Sequence, residues 1–199
     1  MNVEKSYITD SIILLTFENQ YDITSTLLRF QEFYESPKFQ GTLFTLAEFK
    51  DWYTKEKGSF SYYSDWNGFN FPSTVLTKFN EGLFNPLSES EEKILSLLQE
   101  EKGCFYVIGI HKQGKPDTLI HEIGHALFFT NVEYRNQVLI QIDKYDLSQL
   151  TLWLKESGGY ADSVINDELH AYSLASDKDE SMVPVEIKKK LTRIYTDFT

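Results

Sequence analysis

Four of the 199 residues are histidines, and two of these stand four apart in His121-Glu122-Ile123-Gly124-His125. On a helix, side chains at that spacing share a face with Cβ atoms about 5–6 Å apart, so two imidazoles can aim at one ion. Zinc takes imidazole nitrogens at roughly 2.0–2.1 Å and suits such a pair. Glu122 is rotated about 100° around the axis from His121, beside the ligands, where a carboxylate can hold a water. A metal would lower the pKa of that water from about 15.7 toward about 7, and Glu122 would take its proton and pass one to a leaving group. The plainer alternative is a helix with two ordinary histidines and no ion. Gly124 costs about 1 kcal/mol against Ala inside a helix, and close backbone packing beneath the site would account for it.

The motif needs a helix and something to hold it. Cys104 to Ile110 reads Cys-Phe-Tyr-Val-Ile-Gly-Ile, aromatic and β-branched, and predicts a strand. Gly114 and Pro116 turn the chain, and Asp117 or Thr118 can cap a helix over Leu119 to Phe129 with Leu119, Ile123 and Leu127 on one stripe. Asp167-Glu168-Leu169-His170-Ala171-Tyr172 lies in a second helical pattern. Pro184 stands near the start of a last helix, striped by Val185, Ile187, Leu191 and Ile194.

Upstream, Ser11 to Phe17 suits a buried strand, with helix as the alternative. Asp22 or Thr24 can cap a helix carrying Leu27, Leu28, Phe30 and Tyr34 and stopped by Pro37. Thr45 can cap the next, with Phe49 and Tyr53 at helical spacing and Gly58 as its stop. Ser59 to Phe71 is an aromatic stretch holding the turn signal Asn67-Gly68, read as a hairpin or ordered loop. Its rings fill a core or, less simply, wall a substrate groove. Asn80 to Glu92 has the composition of a connection and is the best internal boundary. It leaves a mostly helical region of unassigned role, 1–100, and a region 101–199 with the recognisable chemistry, expected to pack as one compact unit.

Composition narrows the partners. With 41% hydrophobic and 25% charged residues the chain reads as globular. A net charge of −11, relieved only by Lys188-Lys189-Lys190, repels phosphate backbones and speaks against nucleic acid. Cys104 is the single cysteine, so no internal disulfide can form and a reducing compartment fits. Met1 to Asp10 does not resemble a signal peptide, and Ile12 to Leu15 is far short of the roughly 20 apolar residues that span a bilayer. The expectation is a cytoplasmic protein with no membrane partner, export by another route left open.

The segment His121-Glu122-Ile123-Gly124-His125 resembles the active-site helix of the zincin superfamily. A catalytic zinc needs a third protein ligand and an open position. The metzincin branch would require Gly and His three and six residues after His125, where this chain has Phe128 and Asn131. Residues 168–171 instead resemble the E-x-x-A segment of gluzincins, which implies Glu168 as the third ligand. Asp167, about 100° away, reads as a partner for an imidazole N–H or as a solvated carboxylate. His170 is the rival ligand, although it lies about 200° from Glu168 and is expected to be hydrogen-bonded locally. Tyr160 is the preferred donor to a developing oxyanion, with a packing role equally open and Tyr172 as the alternative. His111, at a strand end before a turn, reads as a surface residue.

The resemblance implies an α+β, zincin-like fold: a mixed β-sheet packed against the active-site helix, with a helical C-terminal region. It also implies that the strand Phe105 to Ile110 is an edge strand that pairs with an extended peptide. The expected activity is that of a zinc-dependent metallopeptidase acting on a peptide or protein substrate, with Glu122 as general base and acid. The alternatives are a catalytically silent zincin-fold binding or regulatory protein, and a zinc hydrolase of a non-peptide substrate. Acid should release the zinc as His121 and His125 protonate.

Overall fold

A computed structural model describes residues 1–158, 160–175 and 182–199. The architecture is α+β, and the chain divides into two compact units, Met1–Gly114 and Lys115–Thr199.

The first unit is built on a four-stranded mixed sheet in the order β1-β2-β4-β3. Strands β1 (Val3–Thr9) and β2 (Ile12–Phe17) are antiparallel. β2 runs parallel to β4 (Tyr106–His111), with Ile12 opposite Tyr106 and Phe17 opposite His111. β3 (Gly68–Pro72) closes the other side of β4 in antiparallel register. The two interior strands carry near-continuous buried apolar residues, as strands covered on both faces require.

Helix α1 (Gln20–Glu35) packs on β2, β3 and β4. Gly109 makes that approach possible, because a Cβ there would collide with Leu27 Cδ1. The cap of α1 is Asn19, whose side chain accepts from the Asp22 backbone N–H, rather than Asp22 or Thr24. Thr24 instead turns its hydroxyl back onto the Gln20 carbonyl at 2.8 Å. The helix gives way at Ser36, ahead of Pro37. Helix α2 (Leu46–Lys57) begins in a Thr45/Glu48 capping box and ends on Gly58 at φ 83°, a left-handed conformation that favours glycine.

The aromatic stretch becomes the short helix α3 (Tyr62–Asp65) followed by β3, with Tyr62, Phe69 and Phe71 buried in the core of this unit. Phe30 stacks on Phe71 and Phe79, with centroids 5.2 and 4.0 Å away. Helix α4 (Leu76–Asn80) and helix α5 (Glu89–Leu98), the latter opening in a Ser88/Glu91 capping box, complete the unit. Arg29 grips Glu91 through two bonds of 2.6 Å and donates to the Phe84 carbonyl at 2.9 Å, all buried.

Two expectations are corrected here. β4 is not an edge strand, because β2 and β3 occupy both of its hydrogen-bonding sides and leave none for an extended peptide. His111 is buried rather than on the surface, since the last residue of an interior strand is still covered by its neighbours. Its Nε2 lies 3.2 Å from Asn67 Oδ1, and burial lowers its pKa. By its pairing, β4 belongs to the first unit and not with the motif that follows it.

The described elements of the second unit are all helical: α6 (Pro116–Thr130), α7 (Val132–Ile142), α8 (Ser148–Trp153), α9 (Ile165–Leu174) and α10 (Val185–Phe198). α9 packs against α6, α7, α8 and α10, and α6 also meets α7. α6 is capped at Lys115, two or three residues before the expected cap at Asp117 or Thr118. Pro116 occupies the first turn, where its fixed φ favours the helix and its missing N–H costs nothing, and Asp117 follows as a first-turn acid. Among the described residues, no helix is long and apolar enough to cross a membrane.

Candidate metal centre

His121 and His125 lie one turn apart on α6, with their Nε2 atoms 3.1 Å apart. Glu168, on α9, brings Oε1 to 3.6 Å from His125 Nε2 and Oε2 to 4.0 Å from His121 Nε2. One ligand atom from each of the three residues falls within 4.8 Å of the others, so the cluster can hold a metal ion. A tetrahedral ion with bonds of roughly 2.0–2.1 Å spaces its ligand atoms about 3.3 Å apart, inside the range of these distances.

The donor set fits a cation on two further counts. Glu168 is 2% exposed, yet its Oε2 is buried without a hydrogen-bond partner, an arrangement that costs free energy unless a positive group faces it. Three carboxylates, Glu122, Asp167 and Glu168, are buried in this unit together. Burial pushes the Glu168 carboxyl up, aided by the Asp167 and Glu122 charges and opposed by His125. Burial disfavours a charged His125, but Asp167 and Glu168 outweigh it and raise this imidazole. His121 is depressed by burial and by His125 beside it. A dication would take the place of the proton that the carboxylates otherwise draw in.

The supports of the two imidazoles are also in place. His125 Nδ1 lies 2.9 Å from Asp167 Oδ1, a carboxylate contact that favours a hydrogen on this nitrogen, while Nε2 is on the side of Glu168. The Asp167 carboxyl is held low, His125 outweighing the burial that opposes its charge. The Ala171 backbone beside the His121 ring favours its charged form. Glu122 is 4% exposed on the same helix as the two histidines.

His170 stands apart from the three ligand atoms. It is fully buried, stacks on Phe128 with centroids 5.7 Å apart, and shares a 2.5 Å hydrogen bond between Nε2 and the Tyr134 hydroxyl. It is hydrogen-bonded, as expected, but to Tyr134 on α7 rather than locally. Gly124 owes its place to the same contact: an added Cβ would sit 3.1 Å from both His170 Cε1 and Leu174 Cδ1. Glycine lets α9 come close enough to α6 for Glu168 to meet the histidines.

Tyr160 and Tyr172 are joined by a hydroxyl–hydroxyl hydrogen bond of 2.9 Å. Tyr172 sets its ring edge-on to His121 with centroids 4.8 Å apart, so Tyr160 reaches the histidines by way of Tyr172. The residue that sequence reasoning missed is Tyr134. Its only signal is Asn131, which caps α7 by accepting from the Tyr134 N–H at 3.0 Å and so places this ring in the first turn after the motif helix. No family model matches the chain, and neither a curated protein nor a solved structure does.

Proposed function

We propose that the chain is a zinc-dependent hydrolase of gluzincin-like type, with the zincin-like fold that goes with it, and that it cleaves peptide bonds. The observation that carries this reading is the meeting of His121, His125 and the undonated Glu168 Oε2 within 4.8 Å in a buried site. Two imidazoles and one carboxylate make a donor set known for catalytic zinc. When bound, zinc supplies a Lewis acid that polarises a carbonyl and acidifies water.

The protein's own residues account for the rest. Glu122, buried on the helix that carries both histidines, takes a proton from the attacking water and returns one to the leaving amine. Tyr172, against His121, and Tyr160, bonded to it, are the hydroxyls at hand to donate to a developing oxyanion. Asp167 holds His125 in the tautomer that offers Nε2.

The test is metal analysis together with peptide-library cleavage. The expected result is one zinc per chain, lost on acidification, and cleavage that Glu122→Ala abolishes while zinc stays bound. Zinc retained well below pH 4 would contradict the ligand assignment, and equal cleavage by Glu122→Ala would contradict the proton role. Stoichiometric zinc with turnover confined to ester or amide panels would replace the peptide substrate and leave the site standing.

A further inference from the structure

The ligand His125 is backed by a chain of buried polar groups that crosses three helices. Asp167, on α9, brings its Oδ1 to 2.9 Å from His125 Nδ1. His170, on the same helix, has its Nδ1 4.0 Å from the same oxygen, Asp167 Oδ1, an electrostatic contact beyond hydrogen-bond length. On its other side, His170 Nε2 meets the Tyr134 hydroxyl of α7 at 2.5 Å. His125, His170 and Tyr134 are each at most 2% exposed, so water does not compete for these contacts.

The chemistry of the chain has one consistent direction. Asp167 is a carboxylate and can only accept, so the His125 Nδ1 at 2.9 Å carries the hydrogen, and the same negative charge favours a hydrogen on the His170 nitrogen 4.0 Å away. With Nδ1 protonated, a neutral His170 has a bare Nε2, and the Tyr134 hydroxyl is the donor to it. With its Nδ1 likewise protonated, His125 has a bare Nε2, the atom that faces Glu168 and His121.

We infer that Tyr134 and His170 are positioning residues that act through Asp167 to set the tautomer and orientation of His125 for metal. The inference rests on the proposed metal site, which it deepens. Packing backs it as well: Phe128 stacks on His170, Tyr134 meets the same ring edge-on at 5.3 Å, and Gly124 leaves the ring its space. The His170 ring is thereby held on three sides and cannot swing away from Asp167 without disturbing α6.

The experiment measures zinc affinity by competition with a chromophoric chelator, and the visible spectrum of the cobalt-substituted protein. The proteins compared are the wild type, Tyr134→Phe, His170→Leu, His170→Gln and His125→Ala. Tyr134→Phe keeps the ring and removes only the hydroxyl, so it remains informative if His170→Leu fails to fold. The expected result is a loss of affinity of about tenfold or more in Tyr134→Phe and His170→Leu, with shifted cobalt bands. His170→Gln, which can still donate to Asp167 and accept from Tyr134, should recover most of that loss. Wild-type affinity and an unchanged cobalt spectrum in Tyr134→Phe and His170→Leu would overturn the inference while the metal site stands. A wild type that binds no zinc, or a His125→Ala variant that binds it equally well, would overturn the metal site and the inference with it.

Discussion

Asp167 Oδ1 sits 2.9 Å from His125 Nδ1, on the opposite edge of the imidazole from the nitrogen that lies 3.6 Å from Glu168. Adjacent residues of one helix thus address the two edges of a single histidine on another. A turn of about 100° per residue separates Asp167 from Glu168 far enough to flank the ring.

In the proposed metal site, that placement makes the Asp167 carboxylate a support for the ligand His125. Asp167→Ala should weaken zinc binding about 10–100-fold, and Asp167→Asn, which keeps an acceptor oxygen, should weaken it less. Titration against a competing chelator reads both, and equal affinities in the wild type and Asp167→Ala would remove the residue from this role.

Gly124→Ala sets two effects against each other. Alanine gains about 1 kcal/mol of helix propensity. Its Cβ, however, would press on His170 Cε1 and Leu174 Cδ1 at 3.1 Å, and the Tyr134 bond and the Phe128 stack hold His170 in place. Zinc affinity should fall about tenfold even where the thermal midpoint of the metal-free protein barely moves. An affinity within twofold of wild type would show that α9 yields freely.

Glu32, buried in α1, supplies a pH dependence away from the candidate metal site. Burial pushes its carboxyl up to about 7 from an ordinary 4.5, outweighing the nearby Tyr62 and Ser36 hydroxyls. Between those values the folded protein holds a proton that the unfolded chain has released, so stability falls as pH rises through this window. The full cost of about 3 kcal/mol is present above pH 7. Glu32→Gln should therefore stabilise the protein at pH 8 and make little difference at pH 4.5, read by urea unfolding at both. A gain that is the same at the two pH values would contradict the assignment.

The buried pair of Arg29 and Glu91 predicts an asymmetry. Arg29→Met leaves the Glu91 carboxylate buried without its two bonds of 2.6 Å and should cost about 3–5 kcal/mol. Arg29→Met with Glu91→Leu removes both charges and should cost less than the single change, despite losing the Ser88/Glu91 cap of α5. Chemical denaturation of the two variants decides it, and additive losses would count against the mechanism.

Much of the local structure was legible because its causes are local. Thr45 and Gly58 bound α2 as capping chemistry requires, and Pro37 follows the end of α1. The cap of α1 was misread by three residues or more, because Asn19, Asp22 and Thr24 can all accept a backbone bond and only the path of the chain selects among them. The edge position expected for β4 and the surface position expected for His111 fail for a different reason. Strand order depends on partners distant in sequence, and Phe17 opposite His111 leaves no trace in either segment.

By itself, the sequence determined that His121, Glu122 and His125 ride one helix, because a period of 3.6 residues places the two histidines on one face wherever that helix lies. It also put Asp167 and His170, three residues apart, on one face of another helix and Glu168 on a different side. Only the tertiary structure decided which of those three meets the histidines, which steadies one of them, and which turns away to Tyr134. Those assignments depend on the approach of α9 to α6 at Gly124 and to α7 at Tyr134, and contact between helices is set by packing across the unit, not by spacing along either chain segment.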